Sequence, residues 1–92
     1  MVDPALPGAE LIEAGLKDLQ EQRESVASLL VAIGAPRLRH LGLPIPESPY
    51  QNPEHRLYDL LAEDEPDSAH SRYNALIRRL VSFERAAECV KR

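Results

Sequence analysis

Residues 9–33 read AELIEAGLKDLQEQRESVASLLVAI, and within them Ile12, Leu16, Leu19, Arg23, Val26, Leu30 and Ile33 recur at alternating spacings of four and three. Side chains at that rhythm share one stripe of an α-helix, the pattern by which helices pack side by side. A second stretch, 69–90 (AHSRYNALIRRLVSFERAAECV), repeats it through Ala69, Tyr73, Leu76, Leu80, Phe83, Ala87 and Val90. No β-strand pattern and no transmembrane-length apolar run accompanies them. The fold class is therefore all-α, with two long helices of similar length.

Punctuation divides the rest. Residues 1–8, with Pro4, Pro7 and Gly8, are expected to be a flexible lead, followed by a helix over 9–33. Gly34 suits a left-handed C-terminal cap, and Pro36 opposes simple continuation; a bend through Pro36 is the alternative. A short helix over 36–41 is closed by Gly42 and Pro44. Four prolines make 43–53 an extended connector. Asn52 as N-cap, Pro53 at the first helical position and Glu54 in the first turn start a helix over 53–62. After the acidic turn 63–67 the last helix covers 68–91.

The simplest arrangement of these pieces is an antiparallel long-helix hairpin with two short helices between. In that register Ile33 lies near Ala69 and Ile12 near Val90. Leu38, Leu41, Leu43, Leu57, Leu60 and Leu61 can cover the inner end, whereas nothing in the chain is left to cover the outer one. Ninety-two residues make a small core. The expectation is therefore a homodimer completing a four-helix-type bundle, with Ile12, Leu16, Leu19, Arg23, Phe83, Ala87 and Val90 at the interface. Arg23, the charged residue in the seam, would reach a carboxylate such as Glu84; a sharper reading places it in an interior pocket that binds a small anion.

The net charge is −4, distributed unevenly: residues 1–70 carry five Lys/Arg against thirteen Asp/Glu, and residues 71–92 carry six against two. Arg78, Arg85 and Arg92, seven apart, form a stripe opposite the apolar seam, flanked by Arg72 and Arg79. Such a stripe either complements acidic segments of the same fold or meets an acidic protein or nucleic acid. The acidic balance of the whole chain disfavours non-specific nucleic-acid binding.

Chemistry-bearing motifs are sparse. His55 and Asp59 share a helix face, but two ligands make a weak metal signal. Cys89 is the single cysteine, which excludes an intrachain disulfide, and no phosphate loop, serine elbow or HExxH motif occurs. No cofactor or metal is expected, nor a membrane span. Nine of the eleven basic residues are arginine, a bias in keeping with a GC-rich bacterial genome, and the lone cysteine suits a reducing cytoplasm. These observations point to a protein–protein interaction module, an adaptor, assembly factor or regulatory subunit, in preference to a DNA-binding regulator or an enzyme. The connector 43–53 is a docking segment only if Ile45 and Tyr50 are exposed.

Overall fold

The computed structural model describes residues 4–47 and 50–91, so residues 1–3 of the expected lead, Ser48, Pro49 and Arg92 lie outside the described residues. Four helices pack together: α1 (Ala9–Gln20), α2 (Val26–His40), α3 (Pro53–Asp64) and α4 (Ala69–Lys91), the last entered through a 3₁₀ turn at Pro66–Ser68. No strand occurs among the described residues.

The stretch 9–33 is two helices, not one. Gln22 has a positive φ of 56°, the Gln22 N–H donates to the Leu19 carbonyl (3.1 Å), and the Arg23 N–H donates to the Asp18 carbonyl (2.7 Å). This pair of bonds around a left-handed residue is a Schellman ending, formed here without glycine. Two residues on, Ser25 restarts the chain with a capping box. Its Oγ accepts from the Ser28 N–H (3.0 Å), and the Ser25 N–H donates to Ser28 Oγ (2.8 Å). The Ser25 hydroxyl also donates to Asp18 Oδ2 (2.6 Å), tying the new helix to the end of the old one.

The turn folds α2 back along α1, and the two meet so closely that a Cβ built on Gly15 would lie 2.3 Å from the Ala27 carbonyl oxygen. The long-helix hairpin of the sequence reading is thus replaced by an α1/α2 hairpin. The register also differs from expectation. Gly8 lies against Arg79 and Phe83, and Gly34 against Leu80 and Glu84.

Gly34 does not end a helix, and α2 passes through Pro36. The proline's missing donor and its ring disfavour this, but Ala35 and the fully buried Leu38 hold the last turns in the core. The short helix expected over 36–41 is accordingly the end of α2. Here Gly42, with φ of 98°, forms the second Schellman ending: Gly42 N–H donates to Arg39 O (3.0 Å) and Leu43 N–H to Leu38 O (3.1 Å).

The connector is clamped by Arg39, whose Nε donates to the Ile45 carbonyl (3.1 Å) and Nη2 to the Pro46 carbonyl (3.0 Å). Ile45 is buried and Tyr50 half-buried, so the condition for a docking segment is not met. Asn52 caps α3 through the His55 N–H (3.4 Å), and α3 continues to Asp64. The lead is not all loose, since Leu6 packs on the core.

The core draws on every helix: Ile12, Leu16 and Leu19 from α1, Leu29, Leu30, Val31 and Leu38 from α2, Leu57 and Leu61 from α3, and Ala69, Leu80 and Phe83 from α4. Leu29, Leu30, Leu38 and Leu57 have no exposure at all.

Candidate interaction surface

The side chains assigned to an interface separate by position along the fold. Ile12, Leu16, Leu19 and Phe83 are buried within the single chain, so their cover does not require a second copy. The sequence reading left them bare because it held 9–33 straight; once α1 and α2 fold together, the two halves of that seam cover each other. Arg23 leaves the seam altogether. It sits in the turn with 66% of its side chain exposed, paired with Glu21 (3.1 Å) and Asp18 (3.8 Å) and not with Glu84.

What remains of the interface set is the end of α4. Ala87 is half-buried and Val90 is 66% exposed, although both continue the stripe that buries Leu80 and Phe83. Cys89 beside them is exposed. An uninterrupted helix thus carries its apolar stripe from the core into open space.

The arginine stripe also divides. Arg72 pairs with Asp64 (2.8 Å) across the α3–α4 turn, and Arg79 pairs with Glu10 on α1. These two serve the fold by meeting its own acidic segments. Arg78 and Arg85 are exposed and form no ion pair among the described residues. Seven residues apart, they occupy the side of α4 opposite Leu80.

One polar cluster was not foreseen. Glu84 retains only 5% of its exposure, wedged between α4 and α2 where its Oε2 would stand 3.1 Å from a Cβ on Gly34. Burial pushes its carboxyl above the usual range, and the Arg37 guanidinium on α2 pulls it back in part. Arg37 at the same time donates to Glu88 Oε2 (2.8 Å), one turn further along α4. The place given to Arg23 as partner of Glu84 thus belongs to Arg37. The visible signal was the glycine at 34, which admits a carboxylate against the helix backbone.

Elsewhere, Arg56 of α3 holds Glu24 of the α1–α2 turn by two bonds of 2.7 and 2.8 Å, chiefly through which the Glu24 carboxyl is held below its ordinary value. Tyr58 and Tyr73 stack at a tilt, ring centres 5.9 Å apart, and burial raises the Tyr73 hydroxyl. His55 and Asp59 pair at 3.3 Å on the surface, and no group of three metal-ligating side chains forms among the described residues.

Open depressions lie beside Glu13, Lys17 and Pro44 and between Arg39, Glu47 and Tyr50. Neither has a cysteine, serine or histidine in its lining among the described residues. Among the described residues no helix is long and apolar enough to cross a membrane. Comparison with protein families, curated proteins and solved structures finds no match to this chain.

Proposed function

We propose that this chain is a small helical protein–protein interaction module whose contact surface is the C-terminal end of α4, and that it associates there with the same segment of a second copy. The exposure of Val90 carries the reading: it is the most exposed large apolar side chain described, and it stands on the stripe that forms the core two turns earlier. An apolar stripe that outruns its own bundle invites a partner helix to continue the packing. Because Ile12, Leu16, Leu19 and Phe83 are already covered, the monomer does not depend on that partner. The contact spans only about two turns, which belongs to the small, weak class of interfaces. Its dissociation constant should fall at about 1–100 μM.

Val90→Asp tests this better than substitution at Leu19 or Phe83, because it leaves the core intact. Sedimentation equilibrium should show a concentration-dependent dimer for the wild type, and a monomer of unchanged melting temperature for the variant. A wild type that stays monomeric at about 1 mM, well above the expected constant, would refute self-association.

Arg78 and Arg85 favour a second reading, contact with a polyanion through the outer face of α4. A nucleic-acid gel shift that weakens with salt and disappears in Arg78→Gln/Arg85→Gln supports it; no shift at low salt removes it.

A further inference from the structure

The hinge between α1 and α2 carries the only non-glycine residue at positive φ among the described residues, Gln22 at 56°. Glu21, Gln22, Arg23 and Glu24 are exposed, and none of residues 21–25 belongs to the hydrophobic core. All four are good helix formers, yet Gln22 is held in a conformation that is unfavourable for any residue with a Cβ. The apolar rhythm, meanwhile, crosses the hinge without a change of phase: Leu16, Leu19, Arg23, Val26 and Leu30 continue one stripe. What holds the turn closed is local, chiefly the Ser25–Ser28 capping box and the bond from Ser25 to Asp18. Straightening the hinge relaxes Gln22. It also pairs the first amides of α2 with the last carbonyls of α1, groups that helix ends leave without intrahelical partners.

We propose that α1 exchanges between two copies of this chain: the hinge straightens, residues 9–40 form one helix, and α1 of each copy packs on α2 of the other. The register supports it. Gly15 meets Ala27 and Val31, which centres the α1–α2 pairing on residues 21–23. Two such helices crossing antiparallel at their hinges repeat that pairing, and Ile12, Leu16 and Leu19 regain the same cover from the second copy. The occupant is a second copy because the surface of α2 at Ala27 admits a helix only where that helix presents a glycine, and α1 supplies it at Gly15. The contact is intramolecular in the monomer and intermolecular in the dimer, so exchange keeps the core while relaxing two hinges. Exchange is independent of the contact at Val90. It requires α1 to leave the core, so it is slow, reached on refolding at high concentration and retained on dilution, whereas a two-turn surface contact equilibrates rapidly.

The test uses Val90→Asp, which removes the other contact, refolded from urea at about 1 mM and at about 1 μM. Both samples are then compared at one dilution by size-exclusion chromatography with light scattering. The concentrated sample should hold a dimer that persists, and the dilute one a monomer. Ser25→Ala in the same background loosens two closed turns for each dimer formed and should raise the dimerisation constant about thirtyfold. Gln22→Gly relaxes the closed turn and weakens the long helix, and should lower the constant about thousandfold. Nitroxides at Glu13→Cys and Pro36→Cys, in a Cys89→Ser chain diluted into unlabelled chain, report the path within one copy. Their separation should be about 20 Å across the hairpin and about 35 Å along a single helix. No dimer at about 1 mM, the reverse order of the two hinge variants, or a dimer whose intrachain separation stays near 20 Å would overturn the proposal. If Ser25→Ala does not fold, Gln22→Gly against the unaltered hinge decides: equal constants overturn the exchange, and a lower one sustains it.

Discussion

Replacing Gly15 with alanine probes the contact on which the fold turns. The added methyl would lie 2.3 Å from the Ala27 carbonyl oxygen, 2.8 Å from its carbon and 2.4 Å from Val31 Cγ2. Two of those atoms are backbone and cannot rotate away, so α1 must retreat from α2. To bring the closest contact from 2.3 Å to 3.0 Å the helix moves by about 0.7 Å. A gap of that size forfeits about a quarter to a half of a contact's dispersion energy. Ile12, Leu16 and Leu19 project from the same helix, and each is worth about 2 kcal/mol when buried, so the loss is about 1.5–3 kcal/mol. Residual overpacking adds about 1 kcal/mol or more, and the helix preference of alanine over glycine returns about 1 kcal/mol. The net is a destabilisation of about 2 kcal/mol, or a melting temperature lower by about 8–16 °C in a domain of this size. Urea unfolding followed by circular dichroism measures it. Gly34→Ala is the internal control, since its methyl would meet the rotatable ends of Leu80 and Glu84 at 2.9 and 3.1 Å, and it should cost less than about 1 kcal/mol. If Gly15→Ala is as stable as wild type, or more stable by the helix preference alone, α1 does not lie on α2 as described.

Gln22→Gly should stabilise the protein by about 1 kcal/mol, because a non-glycine residue at positive φ costs about that much; unchanged urea midpoints would mean the left-handed cap is not formed. Ser25→Ala removes the acceptor for the Ser28 N–H and the donor to Asp18, and should lower stability by about 1–2 kcal/mol in the same assay. Glu24→Gln addresses pH. The hydrogen bond from Arg56 holds the Glu24 carboxyl below 4.5, so the pair stabilises the fold above that value and its contribution fades as pH falls through the depressed one. Thermal melts should show a small deficit for the variant at pH 7 that disappears in strong acid and in high salt.

The two Schellman endings show what was legible and what was not. At Gly42 the sequence announces a left-handed residue, since glycine takes positive φ without penalty, and the helix end there was foreseen. At Gln22 the same pair of hydrogen bonds forms with a residue that carries no such mark. The 4-3 rhythm made matters worse, because it runs through Arg23 without a phase error. Periodicity reports which residues share a stripe; it does not distinguish one helix from two whose stripes face each other across a turn. The clamp of Arg39 on the Ile45 and Pro46 carbonyls was equally silent, since side-chain-to-backbone bonds leave no spacing rule. Asn52-Pro53 was readable because it rests on local chemistry, whereas the pairing of Arg72 with Asp64 was one of several partners that the charge pattern left open.

The break that the sequence concealed also accounts for the surface that the structure leaves open. Had residues 9–33 formed one helix, it would span about 38 Å and could run the length of α4, which at 23 residues spans about 34 Å. Divided at 21–25, the same residues give α1 of about 18 Å and, with the turns through Pro36, α2 of about 22 Å. Those helices cover each other first, which is why Ile12, Leu16 and Leu19 need no partner. Against α4 they reach as far as the Arg37–Glu88 pair, and α3 shields only the first turns through Tyr58 on Tyr73. The uncovered remainder is the last turn, where Val90 stands. The overhang is thus a consequence of unequal helix lengths, and closing it by extending α2 past Gly42, with Gly42→Ala and Pro44→Ala together, should bury Val90 and weaken association in step. An extended α2 that leaves both unchanged would separate the overhang from the association.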